Sequence, residues 1–243
     1  FPVNDDMKED DATIIKQIKS AYKSNYGDNY KDSLNQALTS AGYKNLSEYR
    51  QRMIKQIQYA NFLLDYIDDH FDDVFNDYYQ QCAPKYVSLI KISVSDTSSP
   101  TDDETSKLNE VKELISNTDK SFGDIAQDYS DDSTSSKKGS LGIVDSKDTS
   151  GIANSYGKDV FNAIESLSEG QVSDVITGDN GYYFVKVTST DKKTLKKKLK
   201  KTDIDSPLLA YDDYLQYVVY NSYKINYKDK DIKKIVQEVV NKA

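Results

Sequence analysis

His70 and Cys82 are the only histidine and the only cysteine in the chain, and those two counts bound its chemistry. A lone thiol forms no intramolecular disulfide. One imidazole builds neither a multi-histidine metal site nor a Cys/His zinc site. A Ser-His-Asp triad would have to run through His70, and no nucleophile-elbow motif accompanies it. Phosphate-loop and dinucleotide motifs are missing too, so no cofactor or metal is expected. His70 reads as a helix-surface residue and Cys82 as an inert, partly buried thiol. Tyrosine is abundant, at 20 residues. Its ring offers apolar contact while its hydroxyl donates and accepts. Residues 192–201 hold seven lysines. That run reads as a solvated link, and its sharper reading is attraction to an anionic membrane or wall polymer.

The elements that must position such groups come from a chain of 243 residues, 37% hydrophobic and 30% charged. This is a thin apolar supply for one ball and suits small modules with extended helical parts. No run reaches the roughly 18 apolar residues that span a bilayer. The net charge of −8 argues against nucleic acid as a partner. The charge is uneven: −4 over 1–85, −9 over 86–190 and +5 over 191–243. A change of sign between segments marks different surfaces.

The first 85 residues predict helices. Ile14, Ile15, Ile18 and Tyr22 share a face over 10–22, with Asp10 and Asp11 at the positive end. Leu34, Ala37, Leu38 and Ala41 mark a helix over 30–41 that stops at Gly42. Asn45 and Glu48 form a capping-box pattern before a long amphipathic helix from Tyr49 to Phe71. A short helix over 71–81 follows. Residues 86–94 alternate as a strand, then come helices around Leu108–Ile115, Phe122–Tyr129 and Val160–Leu167, with 130–140 irregular. Val172–Ile176 and Tyr182–Val187 read as strands joined by an Asp179-Asn180-Gly181 turn. Beyond the lysine run, Ser206-Pro207 opens a helix to about 222, Ile225–Tyr227 a short strand, and Asp231 a last helix. The fold class is α+β: a small antiparallel sheet module inserted in a helical body. The expected division is 1–85 helical, 86–190 sheet module and 191–243 helical, the two helical parts closing on each other.

The middle segment resembles the parvulin-type peptidyl-prolyl isomerases. The resemblance is carried by Tyr129-Ser130-Asp131-Asp132-Ser133, Lys138-Gly139-Ser140-Leu141-Gly142, Val160-x-x-Ala163 through Leu167-x-x-Gly170-Gln171-Val172-Ser173, and Asn180-Gly181-Tyr182-Tyr183-Phe184-Val185-Lys186-Val187. The flanks resemble PrsA-type extracellular foldases and the related SurA chaperones, through Gly42-x-x-x-Leu46-Ser47-Glu48-Tyr49 and Tyr223-Lys224-Ile225-x-x-Lys228-Asp229-Lys230-Asp231-Ile232. The opening Phe1-Pro2-Val3 resembles the middle of such a protein. That implies an upstream signal, a lipid-attachment cysteine and a place at the outer face of the cell membrane.

The resemblance implies catalytic positions at Lys91, Asp132 and Tyr183, where Lys91 and Tyr183 replace two histidines and Asp132 is retained. It implies a proline-pocket lining of Leu141, Val144, Tyr156 and Val160. Two readings follow. In one, Lys91, Asp132 and Tyr183 form a substitute hydrogen-bonded set with weak isomerase activity. In the other, Lys91 and Asp132 form a structural ion pair and the domain is silent. The implied partners are unfolded or partly folded secreted proteins and X-Pro segments. A homodimer through the helical arms is compatible with the sequence and not required by it. The alternative of another class is a wall- or membrane-associated scaffold or adhesin with no client-folding role.

Overall fold

The computed structural model describes residues 2–199, 206–209 and 225–240. The chain divides into two compact units, 1–70 and 71–243.

In the first unit, a cap sets where the chain turns helical. The Asn4 side chain accepts from the Met7 amide at 2.9 Å and starts α1 (Asp5–Tyr26). Asp5 and Asp6 fill the positive first turn. The helix thus begins earlier than its apolar period, because cap residues leave no periodic trace. Asp11, expected at that end, is instead buried and pairs with Arg50. Helix α2 (Tyr30–Ser40) stops as expected at Gly42. There a φ of +83° lets the Gly42 and Tyr43 amides reach the Thr39 and Leu38 carbonyls. Helix α3 (Leu46–Asp69) is capped by Asn45, which accepts from the Glu48 amide at 3.0 Å. Glu48 returns to the Lys44 amide, one residue off the usual box. Met7, Ile15, Leu34, Leu38 and Met53 are buried in this unit.

The second unit opens with α4 (Phe71–Cys82), then β1 (Lys85–Ser93), α5 (Asp102–Asn117), α6 (Phe122–Tyr129), a 3-10 turn at Ser133–Lys137 and β2 (Ser140–Val144). Next come α7 (Ile152–Tyr156), α8 (Lys158–Ser166), β3 (Ile176–Gly178), β4 (Gly181–Ser189), α9 (Lys192–Lys198) and α10 (Lys230–Val240). The sheet order is β2-β1-β4-β3, antiparallel throughout. Strand β2 escapes the sequence pattern, since Ser140 and Gly142 hide its alternation. It exists by pairing with β1. The expected strand at Val172–Ile176 is corrected: only Val172 bridges to Lys186, and β3 begins at Ile176. Ser173 is the reason, because its hydroxyl accepts the Val185 amide at 3.0 Å in place of a backbone carbonyl. Ile225–Tyr227 forms no strand. The expected helix after Pro207 lies, past residue 209, outside the described residues.

Alternation along β1 and β4 gives the sheet two faces. Val87, Leu89, Tyr183 and Val185 pack with Ile152, Val160 and Ile164 of α7 and α8. Ile90, Ile92 and Phe184 pack with Leu108, Val111, Phe122 and Ile125 of α5 and α6. Helix α4 is fastened to this module. The buried Tyr78 hydroxyl donates to Asp145 at 2.8 Å, and Tyr79 donates to the Thr190 carbonyl at 2.9 Å. The described part of the lysine run is a clasp on that helix more than a solvated link. Lys196 pairs with Asp72 at 2.7 Å and lies over the rings of Phe71 and Phe75, and Lys192 lies over Tyr79.

Candidate proline site

Strand pairing sets the first contact of the site. Lys91 of β1 stands directly opposite Tyr183 of β4, so both side chains leave the same face. The Lys91 ammonium lies 5.9 Å from the Tyr183 ring centre. Beyond Ser88 the β2 edge of β1 is taken over by the loop after α6. The Leu89 amide donates to the Gly139 carbonyl at 2.8 Å, the Lys91 amide to the Ser130 hydroxyl at 3.0 Å, and the Asp131 amide to the Lys91 carbonyl at 2.8 Å. This stitching brings Asp132 beside Lys91. It also demands glycine at 139, where φ is +74° and a Cβ would stand 2.4 Å from the Leu89 carbonyl oxygen.

The Asp132 carboxylate is already occupied. It accepts the Thr134 amide at 2.9 Å and hydroxyl at 2.6 Å, closing the 3-10 turn, and the Tyr156 hydroxyl at 3.4 Å. The ion pair expected between Lys91 and Asp132 is not formed among the described residues. Tyr156 makes the link instead: its hydroxyl reaches Asp132, and its ring meets Tyr183 edge-on at 6.2 Å. Burial, followed by the Asp132 charge, pushes the Tyr156 phenol up to about 12. Burial, then Asp132 and Asp179, raises Tyr183 as well. Both phenols are therefore protonated at neutral pH.

A cleft of about 400 Å³ lies between α7–α8 and the β3–β4 turn, bounded by Tyr156, Val160, Gly178, Asn180 and Tyr183 among others. Tyr183 closes its floor at 4% exposure. Gly178 makes that possible, since a Cβ there would lie 2.7 Å from the Tyr183 ring. The structure thus gathers Lys91, Asp132, Tyr183, Tyr156 and Val160. Val144 is sealed in the core beneath. Leu141 packs on the same core but borders a separate groove with Thr149 and Ser150. Sequence reasoning missed Thr134, Ser130 and Gly178. Ser130 lies inside the Tyr129–Ser133 motif, and Gly178 flanks the Asp179-Asn180 turn, so both carried a local signal. Thr134 carried none.

One chemical reading fits this geometry: a cleft floored by the Tyr183 ring and edged by polar side chains such as Ser155, Lys158 and Thr177 suits holding a peptide segment. Residues 89–189 match the rotamase family, described as a PPIC-type PPIASE domain. That segment is similar to the parvulin-type rotamase domains. The chain that carries it is similar to PrsA foldases. It is 33% identical over 141 residues to the foldase protein PrsA of Staphylococcus epidermidis, covering 55% of this chain and 41% of that protein. Identity to the Staphylococcus aureus PrsA is 31% over the same length and shares. This chain spans about two fifths of the length of those relatives. The crystal structure of PrsA from Bacillus subtilis aligns with a TM-score of 0.41 at 22% identity, over 96% of this chain and 80% of that one.

Proposed function

We propose that this chain is an exported folding factor, lipid-anchored at the extracellular face of the membrane. It holds unfolded, proline-containing segments, and its rotamase-type domain isomerises them weakly or not at all. The rotamase match and the likeness to PrsA foldases support the folding role, and the observation that carries the weak-catalysis part is the pairing of Lys91 with Tyr183 across β1 and β4. Rotation about an X-Pro bond faces a barrier of roughly 18–20 kcal/mol and takes tens to hundreds of seconds unaided. A catalyst must favour the twisted amide over the planar one. The twisted amide has a more basic nitrogen and a less polar carbonyl, so groups that both donate and accept suit it. A neutral imidazole does both. Charged Lys91 only donates, Tyr183 is nearly closed off, and Asp132 is spent on Thr134 and Tyr156. The cleft and the tyrosine-rich helices supply contact that needs neither Lys91 nor Asp132.

A proline-peptide isomerisation assay tests the catalytic half, with Lys91→Ala and Asp132→Ala alongside. The expected wild-type rate is close to buffer. A rate that is far above buffer and collapses in either variant overturns it. Suppression of aggregation of a denatured protein at stoichiometric amounts tests the holding half. Failure there favours a surface scaffold.

A further inference from the structure

The α5–α6 face of the sheet is only half covered. The helices lie on Ile90, Ile92 and Phe184 and stop short of the start of β1, where Lys198 lies over the Tyr86 ring. There Ser140, Ser88 and Lys186 stand in register across β2, β1 and β4. A pocket of about 310 Å³ opens over that row, completed by the first turn of α6 and by Lys137 and Lys138. No carboxylate lines it, in a chain with 40 acidic residues.

Ser88 is the group that points to a ligand. It is 8% exposed, it lines the pocket, and among the described residues its hydroxyl has no hydrogen-bond partner. Its oxygen is open to the pocket, where a ligand oxygen can take the place of water. Lys186 and Lys137 make no ion pair among the described residues. Lys138 does, with Asp124 at 2.7 Å, and Asp124 also accepts from the Ser121 hydroxyl at 2.7 Å. The Phe122 and Gly123 amides at the start of α6 have no intrahelical acceptor.

We propose that this pocket binds a tetrahedral oxyanion, the phosphoryl group of phosphate or a phosphate ester. Lys186 and Lys137 supply the charge, Ser88 donates its hydroxyl, and the Phe122 and Gly123 amides complete the shell. Lys138 stays with Asp124. The pocket lies on the sheet face opposite the proline cleft, so its occupancy is independent of isomerase activity.

The test is an amide-resolved NMR titration of the full chain with inorganic phosphate, against chloride at matched ionic strength. Saturable shifts are expected at Ser88, Phe122, Gly123 and Lys186. Lys186→Gln weakens binding about tenfold and Ser88→Ala about fivefold. Lys186→Arg retains binding, and Lys158→Gln on the other face changes nothing. A second arm sediments the chain with phosphatidylglycerol or phosphatidylcholine vesicles. Lys186-dependent retention on the anionic vesicles assigns a lipid-borne phosphate. Saturable phosphate binding without retention assigns a soluble one. Shifts that never saturate, or a Lys186→Gln variant equal to wild type in both arms, overturn the proposal.

Discussion

The two faces of the sheet leave their open polar residues at opposite ends. On the α7–α8 face, Val87 and Leu89 are sealed, Lys85 at the start of β1 donates to the Ile164, Glu165 and Leu167 carbonyls at the end of α8, and the polar position without such partners is Lys91, near the other end of the strand. On the α5–α6 face, Ile90 and Ile92 are sealed and the polar positions are Tyr86 and Ser88, near its start. Each face is apolar where a helix lies on it and polar where the helix stops. The polar ends differ in how far they are satisfied. Lys91 itself makes no ion pair among the described residues, but Asp132, Thr134 and Tyr156 bond one another there. Around Ser88 a hydroxyl and two lysines are left over. A set of groups that has closed on itself is poor at chemistry, whereas a set left open is ready for a ligand.

The change with the largest expected effect breaks both faces at once. Gly139→Ala would press a Cβ on the Leu89 carbonyl of β1 and, at 2.8 Å, on Ala126 of α6. A cost of about 3 kcal/mol, a loss of about 6–12 °C in Tm, is expected by calorimetry. An unchanged Tm would mean that the loop does not approach β1 as closely as described.

A smaller change sharpens the contrast by touching only the α7–α8 face. Asp145 is fully buried and accepts from Tyr78 of α4, from the Thr149 hydroxyl and from the Lys147 amide. It anchors the loop in which Asp148 caps α7, the helix that ends at Tyr156. Tyr78→Phe leaves that carboxylate short of one donor. It should lower stability by about 1.5–3 kcal/mol in a urea titration, while amides around Ser88 keep their NMR positions. Movement at Ser88 would show that the faces are coupled.

The smallest effect is alkaline. Tyr156 and Tyr183 both titrate above the unfolded value of about 10, because burial and Asp132 disfavour the phenolate. The Tyr156 contribution to stability is full below pH 10 and is lost as pH rises toward about 12, and the Tyr183 contribution falls in the same direction. Tyr156→Phe should therefore flatten the fall in urea midpoint between pH 9 and pH 11. An equally steep fall in that variant would exclude Tyr156 from the alkaline loss.

Periodicity made the helices of 30–40, 46–69 and 122–129 legible, because burying one stripe forces a repeat on the sequence. Motif order implied one site for Lys91, Asp132 and Tyr183, and of these the fold pairs Lys91 with Tyr183 across β1 and β4. The misses share a cause. Strand β2 exists by pairing, Ser173 ends a strand by a side-chain bond, and Asp11 finds Arg50 across 39 residues. None of these partners is local, so none leaves a local signal.

By itself the sequence determined which chemistry is out of reach: with one imidazole and one thiol, no arrangement of the chain yields a multi-histidine metal site. It also determined the two-faced strands β1 and β4, since their alternation is written residue by residue. Only the tertiary structure decided that Tyr156, and not Lys91, holds Asp132, and that Ser88 faces an open pocket without a partner. Hydrogen-bond satisfaction is a property of distances across the fold, and chain order does not carry distances.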